Sequence, residues 1–236
     1  MAMGSCMFRR EHHQRIEQVL HALNGPFLTD AGCYFGGGTA IVLLLGEYRE
    51  SSDIDLLCSS SIGYRQVLNA IWESGIQGIF REPVKTVREV KRDRDAIRTF
   101  LDVDGIAIKF EIVREARIEL EGNSDPALPI ATLSRVDMYA EKLLANADRG
   151  DDKAMMSRDV IDLAVMIEHW GPIPDQAWAK VTAAYGKQAF EAFERSRAKA
   201  DDPAYLRECL QKMHMDPVWQ DRIYRSLASV ERLDVR

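Results

Sequence analysis

Cysteine is scarce in this chain, and no two cysteines stand close together. The four present (Cys6, Cys33, Cys58, Cys209) make no Cys-x-x-Cys pair. That spacing excludes a cysteine zinc site and suits reduced thiols in a cytoplasm, which is the location expected. Histidine is equally sparse: His12, His13, His21, His169 and His214 show no metal-ligand spacing. Long apolar runs are missing too. The longest, Ala40 to Leu45, is far too short to span a bilayer, so no membrane association is expected. The opening stretch, Met1 to Cys6, is small and polar with charges following at once, which is not a secretory leader pattern. An excess of positive charge is absent. The formal net charge of −6 argues against a general nucleic-acid coat. Neither a Gly-x-Ser-x-Gly elbow nor a Walker loop occurs, which removes the commonest hydrolase and P-loop readings.

What remains is a globular composition. With 236 residues, 46% hydrophobic and 29% charged, the chain can build a real core as one large domain or two small ones. Arg9 to Leu23 carries Ile16, Val19, Leu20 and Leu23 at helical spacing. Cys33 to Phe35 reads as a strand, Thr39 to Tyr48 as a buried helix, Ile54 to Cys58 as a strand and Tyr64 to Trp72 as a helix. Strands are expected over Val84 to Val90, Ala96 to Val103 and Ile106 to Val113, the last two joined through the tight turn Asp102-Val103-Asp104-Gly105. From about Ser134 only helical patterns follow. Pro174 marks one helix start, and Asp202-Pro203 and Asp216-Pro217 read as N-cap then first residue of two more. Glu121 to Pro129, rich in Gly, Asn, Ser, Asp and Pro, is the natural linker. The expected organisation is an α/β domain with a mixed sheet over 9–120 and a helical domain over 130–236.

The chemistry concentrates in residues 36 to 55. Gly36-Gly37-Gly38 open a helix, where bare backbone and free N–H groups suit a phosphate. Asp53 and Asp55 flank Ile54, and strand alternation points both carboxylates to one face. Paired acids repel unless a cation lies between them, and a hard ion such as Mg²⁺ (or Mn²⁺) suits oxygen ligands and brings phosphates with it. Glu111 shares a strand face with Lys109. If that strand neighbours the one bearing Asp53 and Asp55, Glu111 supplies a third carboxylate; otherwise it is an edge ion pair. Asp159 and Asp162 share a helix face, as do Lys142 and Arg149. Arg81 to Arg98 holds seven Lys or Arg against four acids, which suits either a polynucleotide surface or a solvated hairpin guarding a sheet edge.

Phe35-Gly36-Gly37-Gly38 followed by Asp53-Ile54-Asp55-Leu56 resembles the signature of polymerase-β-like nucleotidyltransferases. The further order Gly-Gly-Thr-Ala, Arg49 to Asp55, Lys109-Phe110-Glu111, Glu141-Lys142-Leu143-Leu144-Ala145 and Arg158-Asp159-Val160-Ile161-Asp162-Leu163 resembles the AbiEii/AbiGii toxin family. The resemblance covers roughly Gly36 to Leu163. It implies a toxin of a bacterial toxin–antitoxin or abortive-infection pair, with a cognate antitoxin protein as partner. It implies metal binding by Asp53 and Asp55, with Glu111 as third acid, and makes Lys142 and Asp159 essential polar residues of the nucleotide site. Gly37, Gly38, Thr39, Arg49 and Ser52 would contact the NTP. One extra residue in Arg49-Glu50-Ser51-Ser52 leaves the choice of serine open. The acceptor hydroxyl expected is on RNA, such as a tRNA 3′ end. A protein or small-molecule acceptor, or a nucleotide-binding module with little turnover, are the alternatives.

Overall fold

Ile16, Val19 and Leu20 bury one face of helix α1 (Glu11–Ala22), and this helix opens an α/β unit. The computed structural model describes residues 8–230, so Cys6 and the opening stretch Met1 to Cys6 lie outside the described residues. Two compact units result: the first runs to Glu47 and resumes over Ser51–Ser134, and the second comprises Tyr48–Glu50 and the described residues from Arg135 on.

In the first unit, α1 is followed by α2 (Gly25–Asp30), β1 (Cys33–Gly36), α3 (Gly37–Leu44), β2 (Asp53–Cys58) and α4 (Ser61–Ser74). Then come β3 (Lys85–Thr86), β4 (Lys91–Arg92), β5 (Ala96–Val103), β6 (Ile106–Arg114), β7 (Gly122–Asn123) and β8 (Thr132–Leu133). The sheet order is β3-β5-β6-β2-β1-β8-β7, with β4 also on β5. β2 runs parallel to β6 and β1 parallel to β8, and the remaining pairs are antiparallel, so the sheet is mixed as expected. Asp104 (φ 53°) and Gly105 (φ 79°) turn β5 into β6 through two left-handed residues, the conformation a two-residue hairpin loop requires.

Three expectations shift. The strand expected over Val84 to Val90 is reduced to the dipeptide β3, with β4 starting only after it, because the segment has little apolar surface to bury and even Val87 is exposed. The helix expected over Thr39 to Tyr48 stops at Leu44, after which Gly46 (φ 77°) and Glu47 (φ 60°) reverse the chain. The expected linker, Glu121 to Pro129, contributes β7 to the sheet: Gly122 pairs with Leu133, and a β-carbon there would meet the Tyr34 ring at 2.1 Å. That glycine serves close packing rather than looseness.

The second unit is helical: α5 (Arg135–Arg149), α6 (Arg158–Trp170), α7 (Asp175–Tyr185), α8 (Lys187–Ala200), α9 (Pro203–Lys212) and α10 (Trp219–Ala228). α5 packs on α6, α7 and α8, and α10 packs on α6. Leu143, Leu144, Val160, Leu163, Phe193 and Leu206 are fully buried among them. Asp202 caps α9, accepting from the N–H groups of Ala204 and Tyr205. α10 starts two residues later than Asp216-Pro217 suggests, because Asp216 closes a turn by accepting from the Val218 N–H instead. Among the described residues no helix is long and apolar enough to cross a membrane. The fold class is the expected one, a mixed-sheet α/β region followed by helices.

Candidate active site

The register of three strands builds the site in the first unit. Gly36 pairs with Asp55 across β1 and β2, and in the parallel pair of β2 and β6 Asp53 lies beside Lys109 and Asp55 beside Glu111. Laterally paired residues share a sheet face, so Asp53, Asp55, Lys109 and Glu111 point the same way while Ile54, Phe110 and Ile112 are buried on the other side. β5 adds Arg98 opposite Glu111.

Gly37 adopts φ 68°, and a β-carbon there would lie 2.4 Å from Asp55 Oδ2. Only glycine allows the backbone at the start of α3 to sit against this carboxylate. The eight-residue helix α3 that follows is almost wholly apolar, so its burial fixes the glycine turn at its mouth. Thr39 is buried and shares a 2.8 Å hydrogen bond with the Ser51 hydroxyl, while the Ser52 hydroxyl donates to Asp53 Oδ1 at 3.2 Å.

The acids are not left to one another. Lys109 Nζ lies 2.5 Å from Glu111 Oε2, and Arg98 Nε lies 3.1 Å from Glu111 Oε1. Partial burial would lower the Lys109 pKa, but the hydrogen bond and charge of Glu111, with Asp53 and Asp55 behind it, raise it instead. Lys109 is thus a cation bonded to Glu111 and lying in the field of Asp53 and Asp55. Among the described residues no group of three or more His, Cys, Asp or Glu is gathered around one point as a metal cage. Asp53 and Asp55 form a two-acid set that fits an ion taking its other oxygens from phosphates and water, as Mg²⁺ does. Glu111 is engaged by two cations and would have to exchange Lys109 to join them.

Behind the glycine turn lies a network that sequence reasoning missed. Glu47 accepts from the backbone N–H groups of Arg9 (2.8 Å) and Arg10 (2.9 Å) and from His13 Nδ1 (2.9 Å). The Ser51 N–H donates to His13 Nε2 at 3.2 Å, which places the ring proton on Nδ1. Burial would raise the Glu47 pKa, yet these hydrogen bonds outweigh it and bring it down to about 2. Burial lowers the His13 pKa despite Glu47, so the ring is held neutral. The network anchors the chain at Ser51, two residues before Asp53. The available signal was His13 itself, which occupies a core position with Ile16 and Leu20 on α1.

The second unit holds the other predicted residues. Arg49 is buried, and its Nε and Nη2 meet Asp162 Oδ1 and Oδ2 at 2.7 and 2.8 Å, while Nη1 donates to the Glu50 carbonyl at 2.8 Å. The Tyr48 hydroxyl donates to Asp162 at 2.6 Å. Lys142 Nζ reaches Asp159 Oδ1 at 2.9 Å and Asp162 Oδ2 at 2.7 Å, and Arg149 forks onto Asp159 at 2.7 and 2.9 Å. Burial would raise both aspartates, but the charges of Arg49 and Lys142 hold Asp162 far below the usual carboxylate range, and Lys142 and Arg149 hold Asp159 down. Lys142 and Asp159 are therefore direct partners, with Asp162 joining Lys142 to Arg49. Arg158, beside Asp159 in sequence, is exposed. Gly37, Gly38, Thr39, Ser52, Asp53, Asp55 and Glu111 thus belong to the first unit, and Arg49, Lys142 and Asp159 to the second.

JHP933 from Helicobacter pylori has a similar structure, with a TM-score of 0.57 and 16% identity over 94% of this chain and 92% of that one. A candidate nucleotidyltransferase from H. pylori superimposes with a TM-score of 0.53 and 18% identity over 93% of this chain and 96% of its own. At such identities the likeness shows the fold. No curated protein matches the chain significantly. The family model described as nucleotidyl transferase AbiEii toxin, type IV toxin–antitoxin system, matches residues 19–233, and the chain therefore belongs to the AbiEii nucleotidyltransferase toxins.

Proposed function

We propose that this protein transfers a nucleotide from an NTP to an acceptor hydroxyl on RNA, with a tRNA 3′ end as the first target to test. The observation that carries the reading is the packing of the Gly37 backbone against Asp55, on a sheet face shared with Asp53 and Glu111. In this reading the turn that would take the phosphate adjoins the acid pair that would take the cation.

In this reading the backbone N–H groups of Gly37 and Gly38 hold the triphosphate, with Thr39 and Ser52 flanking them. Asp53 and Asp55 would hold Mg²⁺ or Mn²⁺, which when bound would supply positive charge against the phosphates. Glu111 orients the acceptor hydroxyl and takes its proton. The acceptor oxygen bonds to the α-phosphorus, the bond to the β-phosphate oxygen breaks, and pyrophosphate leaves. The protein supplies position and charge and forms no covalent bond of its own. Lys142, Asp159 and Arg49 are residues the transfer needs, with the buried Arg49 holding its neighbours rather than meeting pyrophosphate. An antitoxin protein is the partner that the type IV family suggests.

Incubation with each α-labelled NTP, with and without total tRNA and with Mg²⁺ or EDTA, tests this. Label on tRNA that needs Mg²⁺ is the expected result. Label on a protein or small molecule would move the acceptor and keep the enzyme class. Failure to label anything with any NTP would leave a nucleotide-binding module and sink the reading.

A further inference from the structure

Trp72 stands at the end of α4 with 73% of its surface open, although Tyr64, Val67 and Ile71 of the same helix are buried. The Arg92 guanidinium lies 4.7 Å from its ring centroid. A second pair of the same kind, with Arg88 4.9 Å from the Phe100 ring centroid, lies on the other face of the sheet, since Phe100 pairs with Lys109. The Tyr64 hydroxyl donates to the Asp93 carbonyl at 3.0 Å, tying α4 to the turn after β4 and holding Trp72 and Arg92 on one surface.

Charge on this surface is uneven. Asp93 accepts from the backbone N–H groups of Asp95 and Ala96 and faces Arg98 at 3.6 Å. Asp95 pairs with Arg94 at 3.1 Å. Asp93 and Asp95 are thus turned to their own loop, while Arg92, the cation on the tryptophan, is exposed.

An indole this open costs solubility and, apart from the Arg92 guanidinium on its face, buries little surface in return. Proteins that bind single-stranded nucleic acid use this combination: a ring face for a base and cations for the backbone. We infer that Trp72 and Arg92 form a stacking platform for an unpaired base of the acceptor RNA, with the indole taking the base and the guanidinium supplying the charge. An acidic peptide would use the cations but has no flat ring to stack on the indole. The inference takes the identity of the strand from the function proposed above, yet binding is read without turnover.

The test is anisotropy of a labelled single-stranded oligoribonucleotide titrated with the full chain, without NTP. Trp72→Ala should weaken binding by at least about fivefold, the lower end of what one base–aromatic stack contributes. Trp72→Phe should stay within about twofold of the parent, since it keeps a π-face. Arg92→Glu should weaken binding and reduce its salt dependence. Thermal melting of each variant should match the parent, because the side chains are exposed. Unchanged binding by Trp72→Ala overturns the inference. So does polyglutamate binding that is equally sensitive to Trp72→Ala, which would give the surface to an acidic protein. RNA binding that depends on Trp72 in a protein that labels no RNA supports the platform while removing the acceptor from the proposed reaction.

Discussion

A β-carbon on Gly37 would sit 2.4 Å from Asp55 Oδ2, closer than any non-bonded carbon and oxygen can rest. Gly37→Ala must therefore move the carboxylate or the glycine turn, and it also forces alanine into φ 68°. The strain should cost about 1–3 kcal/mol of stability and remove nucleotide transfer. Gly105→Ala is the control. It has φ 79° with nothing within 4 Å, so it should cost about 1 kcal/mol and leave transfer intact. Denaturant melts and a labelled-NTP assay read both. Full transfer by Gly37→Ala would separate the turn from the chemistry.

The Glu47–His13 pair predicts sensitivity to acid. The Glu47 pKa falls from 4.5 to about 2 on folding, so its contribution is complete above 4.5 and is lost as pH falls towards 2. The His13 pKa is lowered from 6.5, so stability also falls as pH drops below 6.5 and the unfolded ring takes up a proton first. Urea unfolding at several pH values should show both losses, the Glu47 part amounting to ~3 kcal/mol. Glu47→Gln should flatten the curve below pH 4.5. The same acid slope in that variant would mean that another carboxylate is responsible.

Asp162 and Asp159 should differ in what their loss does. Asp162→Asn leaves Arg49 and Lys142 facing a neutral side chain in the interior, which should cost about 3–5 kcal/mol. Asp159→Asn affects Arg149, whose side chain is 43% exposed and can turn to water, and Lys142, which keeps Asp162 as its anion, so its cost should be smaller. Transfer should fail in both. Equal destabilisation would show that Arg149 and Lys142 together depend on Asp159 as much as Arg49 and Lys142 depend on Asp162.

Much of the first unit's site was legible because strand alternation is a local rule. Asp53 and Asp55 share a face whatever surrounds them, and Lys109 and Glu111 likewise. What sequence could not supply was the pairing of β2 with β6, on which the meeting of the two sets depends. The Glu47–His13 bond was hidden for the same reason, since it closes between distant residues through a left-handed Glu47 that no propensity marks. Arg49 was expected at the phosphates, but a guanidinium is also the side chain best shaped to fork onto a buried carboxylate, and Asp162 takes it. Glycine misled at Gly122, where close packing and flexibility leave the same letter in the sequence.

Lys109 makes the last prediction. Its ammonium lies against Glu111 and within the field of Asp53 and Asp55, where a divalent ion would have to compete with it. Lys109→Met removes the competitor and exposes the three acids to mutual repulsion. Two effects of opposite sign should follow: the metal-free protein should melt lower, and Mn²⁺, followed by calorimetry or electron paramagnetic resonance, should bind more tightly. A gain of roughly tenfold corresponds to ~1.4 kcal/mol, the scale of one partly exposed charge interaction. Asp53→Asn should abolish this binding in either background. If Lys109→Met binds Mn²⁺ no better than the parent, the ammonium belongs to Glu111 alone, and the metal is held at Asp53 and Asp55 without displacing it.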